Sequence, residues 1–267
     1  ACLVGSEMCI RDRSKRTFRG SYPAYALTYF FFYWSLGVFT SVLSMYLTGI
    51  GKSKAEMSFI MSASSLFGVV LIPIVGYIND KLRKPRLICT VMMACVAVFG
   101  ILFALVRETM LLFLLNGCIM GFISSLSPVS ERMATSTKYR YGTIRIWGTF
   151  GYAAAVQVAC AMMEFTSPQL IFVSVSVSAV LAIVGFLGTD DISFTDTEAA
   201  KAAAGKQFSF LCAPMYILFV IIGFIFSGCS NLNMTYSPIL LQELGMPTGA
   251  VGTVLFLSLI HISEPTR

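Results

Sequence analysis

Apolar runs of about twenty residues recur along the chain, separated by short polar breaks. That is the length a helix needs to cross the hydrocarbon core of a bilayer. The runs predict seven complete spans: 22–50, 57–78, 87–106, 109–129, 143–163, 170–187 and 215–241. An eighth begins near Gly249. Continuous runs of this kind differ from the short alternating segments of a membrane β-barrel. The fold class read from the pattern is therefore an all-α polytopic membrane protein. The first and seventh runs exceed one bilayer thickness, which predicts tilting or projection beyond it.

The polar breaks are unequal. Most are short, but 189–213 is long, polar and Ala-rich, with the stretch TDDISFTDTEAAKAAAGKQF at its heart. It reads as a linker between a six-helix bundle, 14–188, and the start of a second bundle, 214–256. Basic residues then set the orientation. With the N-terminus inside, the inner segments hold Lys15, Arg16, Arg19, Lys81, Arg83, Lys84, Arg86, Arg132, Lys138, Arg140, Arg145, Lys201 and Lys206. The outer segments hold only Lys52, Lys54 and Arg107. This asymmetry over short loops predicts a cytoplasmic N-terminus in a multi-pass protein of the inner (cytoplasmic) membrane.

Composition agrees. The chain is 57% hydrophobic and 12% charged, with a formal charge of +6, whereas soluble domains carry about 25% charged residues. In a membrane protein the basic excess reports orientation, so no nucleic-acid partner is expected. The cysteines at 89, 95, 118, 160, 212 and 229 are scattered through apolar segments without a CxxC pair, as packing residues are.

The two ends stand apart. Residues 257–267, LSLIHISEPTR, and the stretch LVGSEMCIRD after Cys2 are encoded by opposite strands of one short DNA, which resembles a sequencing-library adapter. The expectation is that 1–13 and 257–267 are adapter-derived and that genuine protein runs from about Ser14 to about Phe256. The single histidine, His261, goes with them. Without histidine, Ser-His-Asp and Cys-His catalysis and imidazole metal ligation are excluded from the rest. No enzyme activity, no cofactor and no metal are expected.

Several residues carry candidate chemistry. Arg145 sits at the start of an apolar helix, where an ionisable group is costly unless it faces a cavity or a partner. Its planar fork suits vicinal hydroxyls or a carboxylate. Tyr152 lies seven residues on, two turns along the same face. In the seventh span, Ser230, Asn231, Asn233, Thr235 and Tyr236 precede Pro238, and either line a polar cavity in a broken helix or mark a helix already ended. The aromatic cluster of the first span, YALTYFFFYWSLG, reads first as an interfacial belt or lipid-facing bulk, and as the lining of a sugar site in the alternative. Gly117 and Gly121 form a GxxxG packing face.

Six spans, an inner linker and further spans form the layout of major facilitator transporters. The loop GYINDKLRKPR resembles that family's signature, Gly-x-x-x-Asp-Arg/Lys-x-Gly-Arg-Lys/Arg. Gly76, Asp80 and Lys81 match, and Arg83, Lys84 and Arg86 supply the basic run. Gly76 would let two helices approach closely, and Asp80 would pair with basic groups to latch one gate state. Arg83 stands where the family usually has glycine, which predicts a locally different turn. The segment SERMATSTKYRYGTIRIWGTFGY, 130–152, is similar to the lactose permease and nucleoside permease branch. That resemblance implies that Arg145 binds substrate, that Glu131 pairs with it and that Tyr152 stacks on a sugar ring, although the branch's sugar permease has tryptophan at this last place. Asn231 and Asn233 complete the candidate substrate site.

The resemblance implies a twelve-helix fold and a protein that is monomeric when full length. Its function would be proton-coupled uptake of a small polyhydroxylated solute, a sugar, oligosaccharide or nucleoside, by alternating access. An exporter of drugs or metabolites from the same superfamily is the alternative, and a non-transporting membrane sensor is a third reading.

Overall fold

The computed structural model describes residues 18–165, 169–190, 214–247, 249–254 and 257. The terminal stretches 1–13 and 258–267, and the linker from 191 to 213, lie outside the described residues.

Seven long helices follow in order: α1 (Tyr22–Gly49), α2 (Lys54–Leu82), α3 (Pro85–Leu105), α4 (Thr109–Thr135), α5 (Tyr141–Phe165), α6 (Gln169–Leu187) and α7 (Pro214–Glu243). All seven are long and apolar enough to cross a membrane. Residues 249–254 are helical again, where the eighth span was expected. Each predicted span is present, and most helices outrun their apolar segment. α2 starts three residues early because Ser53 and Glu56 form a reciprocal capping box. α4 runs six residues past Val129, which puts Glu131 and Arg132 on helix rather than loop. Hydrophobicity reports where lipid ends, not where the backbone stops bonding to itself.

The six-helix bundle is built from two equivalent halves. α1 packs mainly on α5 and α6, and α4 packs mainly on α2 and α3, while α3 meets α6. Exchanging α1–α3 for α4–α6 maps this contact pattern onto itself. The packing directions fit an inverted repeat: α1 and α5 run parallel, as do α2 and α4, whereas α3 and α6 run antiparallel, with Phe103 against Phe172. This is the internal symmetry expected of transporters built from inverted-topology repeats.

α1 is the centre of the bundle. Tyr25, Tyr29 and Phe32 are almost wholly buried inside it. These three are thus core rather than interfacial belt or lipid-facing bulk, while Phe30, Phe31, Tyr33 and Trp34 of the same cluster stay part-exposed. The reason is topological: α1 is packed between α5 and α6 and touched by α7, so most of its apolar surface is covered. Small residues allow the closest approaches. A Cβ on Gly151 of α5 would collide with the Phe30 carbonyl oxygen of α1. Cβ atoms on Gly117 and Gly121 of α4 would strike Phe67 and Leu71 of α2 at 2.5 and 2.6 Å, which makes GxxxG a packing face.

α7 is attached differently. Its first half is exposed throughout, with Phe219 at 72% and Phe224 at 79%. Its second half leans on α1 and α2, where Lys54 pairs with Glu243 at 3.0 Å and Ser58 meets the Tyr236 hydroxyl at 3.1 Å. It does not enter the core of the six-helix bundle.

Candidate functional site

α1 and α5 run side by side in one register, and two polar pairs sit on their seam. Tyr33 faces Arg145, and seven residues further on each helix Thr40 faces Tyr152. Seven residues are about 10 Å of helix rise, so the two pairs lie at different depths.

The first pair is the centre of a charged cluster. The Arg145 Nη1 donates to the Tyr33 hydroxyl at 2.8 Å, to the Tyr141 hydroxyl at 3.2 Å and to the Glu131 carboxylate. The guanidinium also lies over the Tyr33 ring, 5.2 Å from its centroid, a favourable cation–π placement. Arg145 and Glu131 are each about two-fifths exposed, at 41% and 40%. Every contact converges on Nη1, which leaves Nη2 and Nε without a partner among the described residues. The fourteen-residue separation of Glu131 and Arg145 is bridged because α4 extends to Thr135 and α5 begins at Tyr141.

The second pair belongs to a cavity of about 550 Å³ between the bundle and α7. The Tyr152 hydroxyl is 2.7 Å from the Thr40 hydroxyl. Ser64, Ser65 and Asn116 line the bundle side, and Asn231, Thr235 and Tyr236 line the α7 side. Among the described residues, no Asp, Glu, Lys or Arg lines it. The size suits a small organic molecule, and an apolar wall with a few placed polar groups suits orientation-specific binding. Asn231 and Tyr152 thus meet in one space. Arg145 and Glu131 do not line this cavity, and Asn233 opens instead into a neighbouring groove of about 420 Å³ beside Lys54 and Met57. The five candidate substrate residues fall in three places.

α7 continues past Pro238 to Glu243, so the amide-rich stretch is helix interior and not a strand of chain beyond the helix. Its Asn231 side chain donates to the Ser227 carbonyl at 3.0 Å. Thr40, Tyr33, Ser65 and Asn116 were missed by sequence reasoning. Thr40 and Tyr33 were legible in principle, since each lies opposite a chosen residue once the α1–α5 register is known. Asn116, one buried amide in an apolar run, was the available signal for α4.

The loop between α2 and α3 gathers the remaining candidates. Asp80 pairs with Arg132 of α4 at 3.6 Å, an exposed bridge between the C-terminal ends of α2 and α4. Lys81 lies over the Tyr77 ring at 6.0 Å. Arg83 ends α2 with φ 52° and ψ 29°, the only non-glycine among the described residues at positive φ. Arginine thus occupies the left-handed region that favours glycine. Holding arginine there costs about 1–2 kcal/mol. Lys84 caps α3, whose first residue is Pro85, and Arg86 lies in its first turn. At Gly76 the described residues make no close helix approach. A Cβ there would meet nothing within 4 Å, because this side of α2 faces away from the six-helix bundle.

Comparison with known proteins places this geometry. The chain is 25% identical to the maltose permease of Geobacillus stearothermophilus over 85% of its own length and 59% of that protein. It is 24% identical to the uncharacterized transporter YwbF of Bacillus subtilis, over 91% of this chain and 61% of that one. It is 28% identical to the sucrose permease of Escherichia coli over 60% of this chain. The chain thus spans about three-fifths of the length of the first two relatives. The fold resembles the crystal structure of the nucleoside transporter NupG in its D323A form, with a TM-score of 0.73 at 15% identity, covering 89% of this chain and 64% of that one. Residues 22–262 match the MFS_1 like family, and the chain belongs to it, a multi-pass membrane protein of the major facilitator transporters.

Proposed function

We propose that the chain is part of a secondary active transporter that takes up a small, neutral, polyhydroxylated solute together with protons. The observation that carries this reading is the cavity beside Tyr152, which the described residues line with hydroxyls and amides and with no ionised side chain. A charged solute would be left there without a counter-ion, at a high desolvation cost. A sugar or nucleoside finds donors and acceptors instead. The names of the maltose and sucrose permeases favour a sugar or oligosaccharide, and the YGTIRIWGTFGY segment keeps a nucleoside in range.

In this reading 14–188 is the first of two bundles, 189–213 is a cytoplasmic linker and 214–256 begins the second. The terminal stretches 1–13 and 257–267 are adapter-derived. The partial coverage of the relatives supports the two-bundle part of this division, and the family match, which runs to residue 262, overlaps the second terminal stretch. The protein acts as a monomer in the cytoplasmic membrane, with its N-terminus inside, and does no covalent chemistry. Solute binds against Tyr152 and Asn231. Arg145, about 10 Å along the seam, is not in contact with solute there; when the bundles rock, solute meets its Nη2 and Nε while Glu131, Tyr33 and Tyr141 hold Nη1. Glu131 is the carboxylate offered for proton coupling, and the loop with Gly76, Asp80 and the basic run is the inner gate. The bridges of α7 to the outer end of α2, with its inner half free of the bundle, support an outwardly closed state of an alternating-access cycle.

The test is uptake of labelled maltose and labelled uridine by membrane vesicles carrying the full-length protein, with and without a protonophore. Accumulation of one of them, abolished by the protonophore, is expected. Uptake of neither would remove the solute class, and accumulation indifferent to the protonophore would remove the coupling.

A further inference from the structure

Asn116 is the most completely buried polar residue among those lining the cavity. It is 0% exposed, so a solute reaches its amide only by displacing the side chains around it. Its Nδ2 donates to the Ile60 carbonyl of α2 at 2.8 Å. That bond fixes the amide: turned over, Oδ1 would face the carbonyl oxygen, two acceptors in contact. Oδ1 is therefore held in place, and it has no hydrogen-bond partner. A buried acceptor without a partner costs about 1–3 kcal/mol, and native proteins keep few of them. The neighbours do not answer it. The Ser64 hydroxyl donates to the Met61 carbonyl at 2.7 Å, and the Thr40 and Tyr152 hydroxyls bond to each other.

We propose that Asn116 is a specificity-determining residue for transport, its Oδ1 accepting a hydrogen bond from one hydroxyl of the solute bound between α4 and α7. The inference rests on the proposed function, and it adds a direction to it. A fixed acceptor reads a donor, so it selects a solute with a free hydroxyl at one position and rejects the analogue that lacks it. Discrimination of this kind is strong because the penalty falls on the protein's own unpaired group. The α2 bond makes the reading rigid, since Asn116 cannot swing its amide to offer a donor without losing Ile60.

The experiment is equilibrium binding of maltose, uridine and each of their monodeoxy analogues to the purified full-length carrier. In the unaltered protein, removal of one hydroxyl weakens binding by roughly three- to ten-fold. In Asn116→Leu the parent solute weakens by a similar factor, and the discrimination at that one hydroxyl disappears while the others persist. Asn116→Ser, a smaller polar replacement that withdraws the acceptor, gives the same loss and serves if the leucine variant does not insert. A merely structural role would weaken every analogue alike and would leave the pattern intact, which overturns the inference. A carrier that binds sugars or nucleosides with the full pattern retained in both variants also overturns it, without touching the transport reading. Binding of neither parent solute to the unaltered protein defeats both.

Discussion

The two ends of the α1–α5 seam solve one problem in opposite ways. Around Arg145 the polar groups are charged and answer one another: the carboxylate of Glu131 and the hydroxyls of Tyr33 and Tyr141 converge on a single nitrogen. Around Tyr152, about 10 Å along the helix, the groups are neutral, and they open onto a cavity in which Asn116 keeps an acceptor unused. An ionisable group at membrane depth must carry its partners with it. Neutral amides and hydroxyls can wait for a ligand, because the cost of leaving one unpaired is small enough to bear. The seam thus holds a paired cation at one end and, at the other, a Tyr152–Thr40 pair beside a neutral cavity whose unpaired acceptor belongs to α4.

The largest expected effect is on the seam that holds both regions in register. Gly151→Val places a branched side chain against the Phe30 backbone, which cannot rotate out of the way as a side-chain end can. Overpacking of this sort costs about 1–3 kcal/mol or more. Loss of folded protein, read as a drop in detergent thermostability and in membrane yield, is expected. A fully stable variant would show that α1 and α5 do not pack as closely as described.

Next comes the charged end. Arg145→Lys keeps the charge but loses the planar fork. Removal of a charged hydrogen bond costs about 1.5–3 kcal/mol, or roughly ten- to a hundred-fold in affinity. Uptake should fall accordingly with membrane insertion intact. Near-normal affinity would reduce the Arg145 cluster to a structural ion pair and leave recognition to the cavity alone.

At the neutral end the effect is smaller. Tyr152→Phe keeps the ring and removes only the hydroxyl bonded to Thr40, so a change of about 0.5–1.5 kcal/mol is expected. Solute affinity should weaken several-fold at most. A loss as large as that of Arg145→Lys would erase the contrast between the two regions. The smallest effect is expected at Gly76→Ala, where the added methyl meets open space. Unchanged thermostability of this chain is the expected result. If the same change impairs the full-length protein, the surface facing Gly76 is supplied by residues beyond those described.

The sequence carried the fold more fully than the site, for a physical reason. Span number and the GxxxG face follow from local pattern, since a bilayer imposes length on each segment separately. The ends of α2 and α4 ran further than their apolar stretches because capping and helix continuation into the interface leave no hydrophobic signal. The Arg145–Glu131 pair was legible from its resemblance and from the cost of a lone arginine in an apolar helix. Its tyrosine partners were not, because the first-span aromatics look like lipid-facing bulk until α1 is known to be the centre of the bundle. Asn233 went astray for a related reason: two residues from Asn231 along a helix is a turn of about 200°, so the two amides cannot face one cavity.

The central claim is that solute is held in the neutral cavity, against α7. It is tested most directly by alkylating an Asn231→Cys variant of the full-length carrier with a small maleimide, in the presence and absence of the transported solute. The account predicts that saturating solute slows the labelling several-fold, while a cysteine at Asn233, which opens into the neighbouring groove, labels at an unchanged rate. Equal labelling of Asn231→Cys with and without a solute that is demonstrably transported would contradict it.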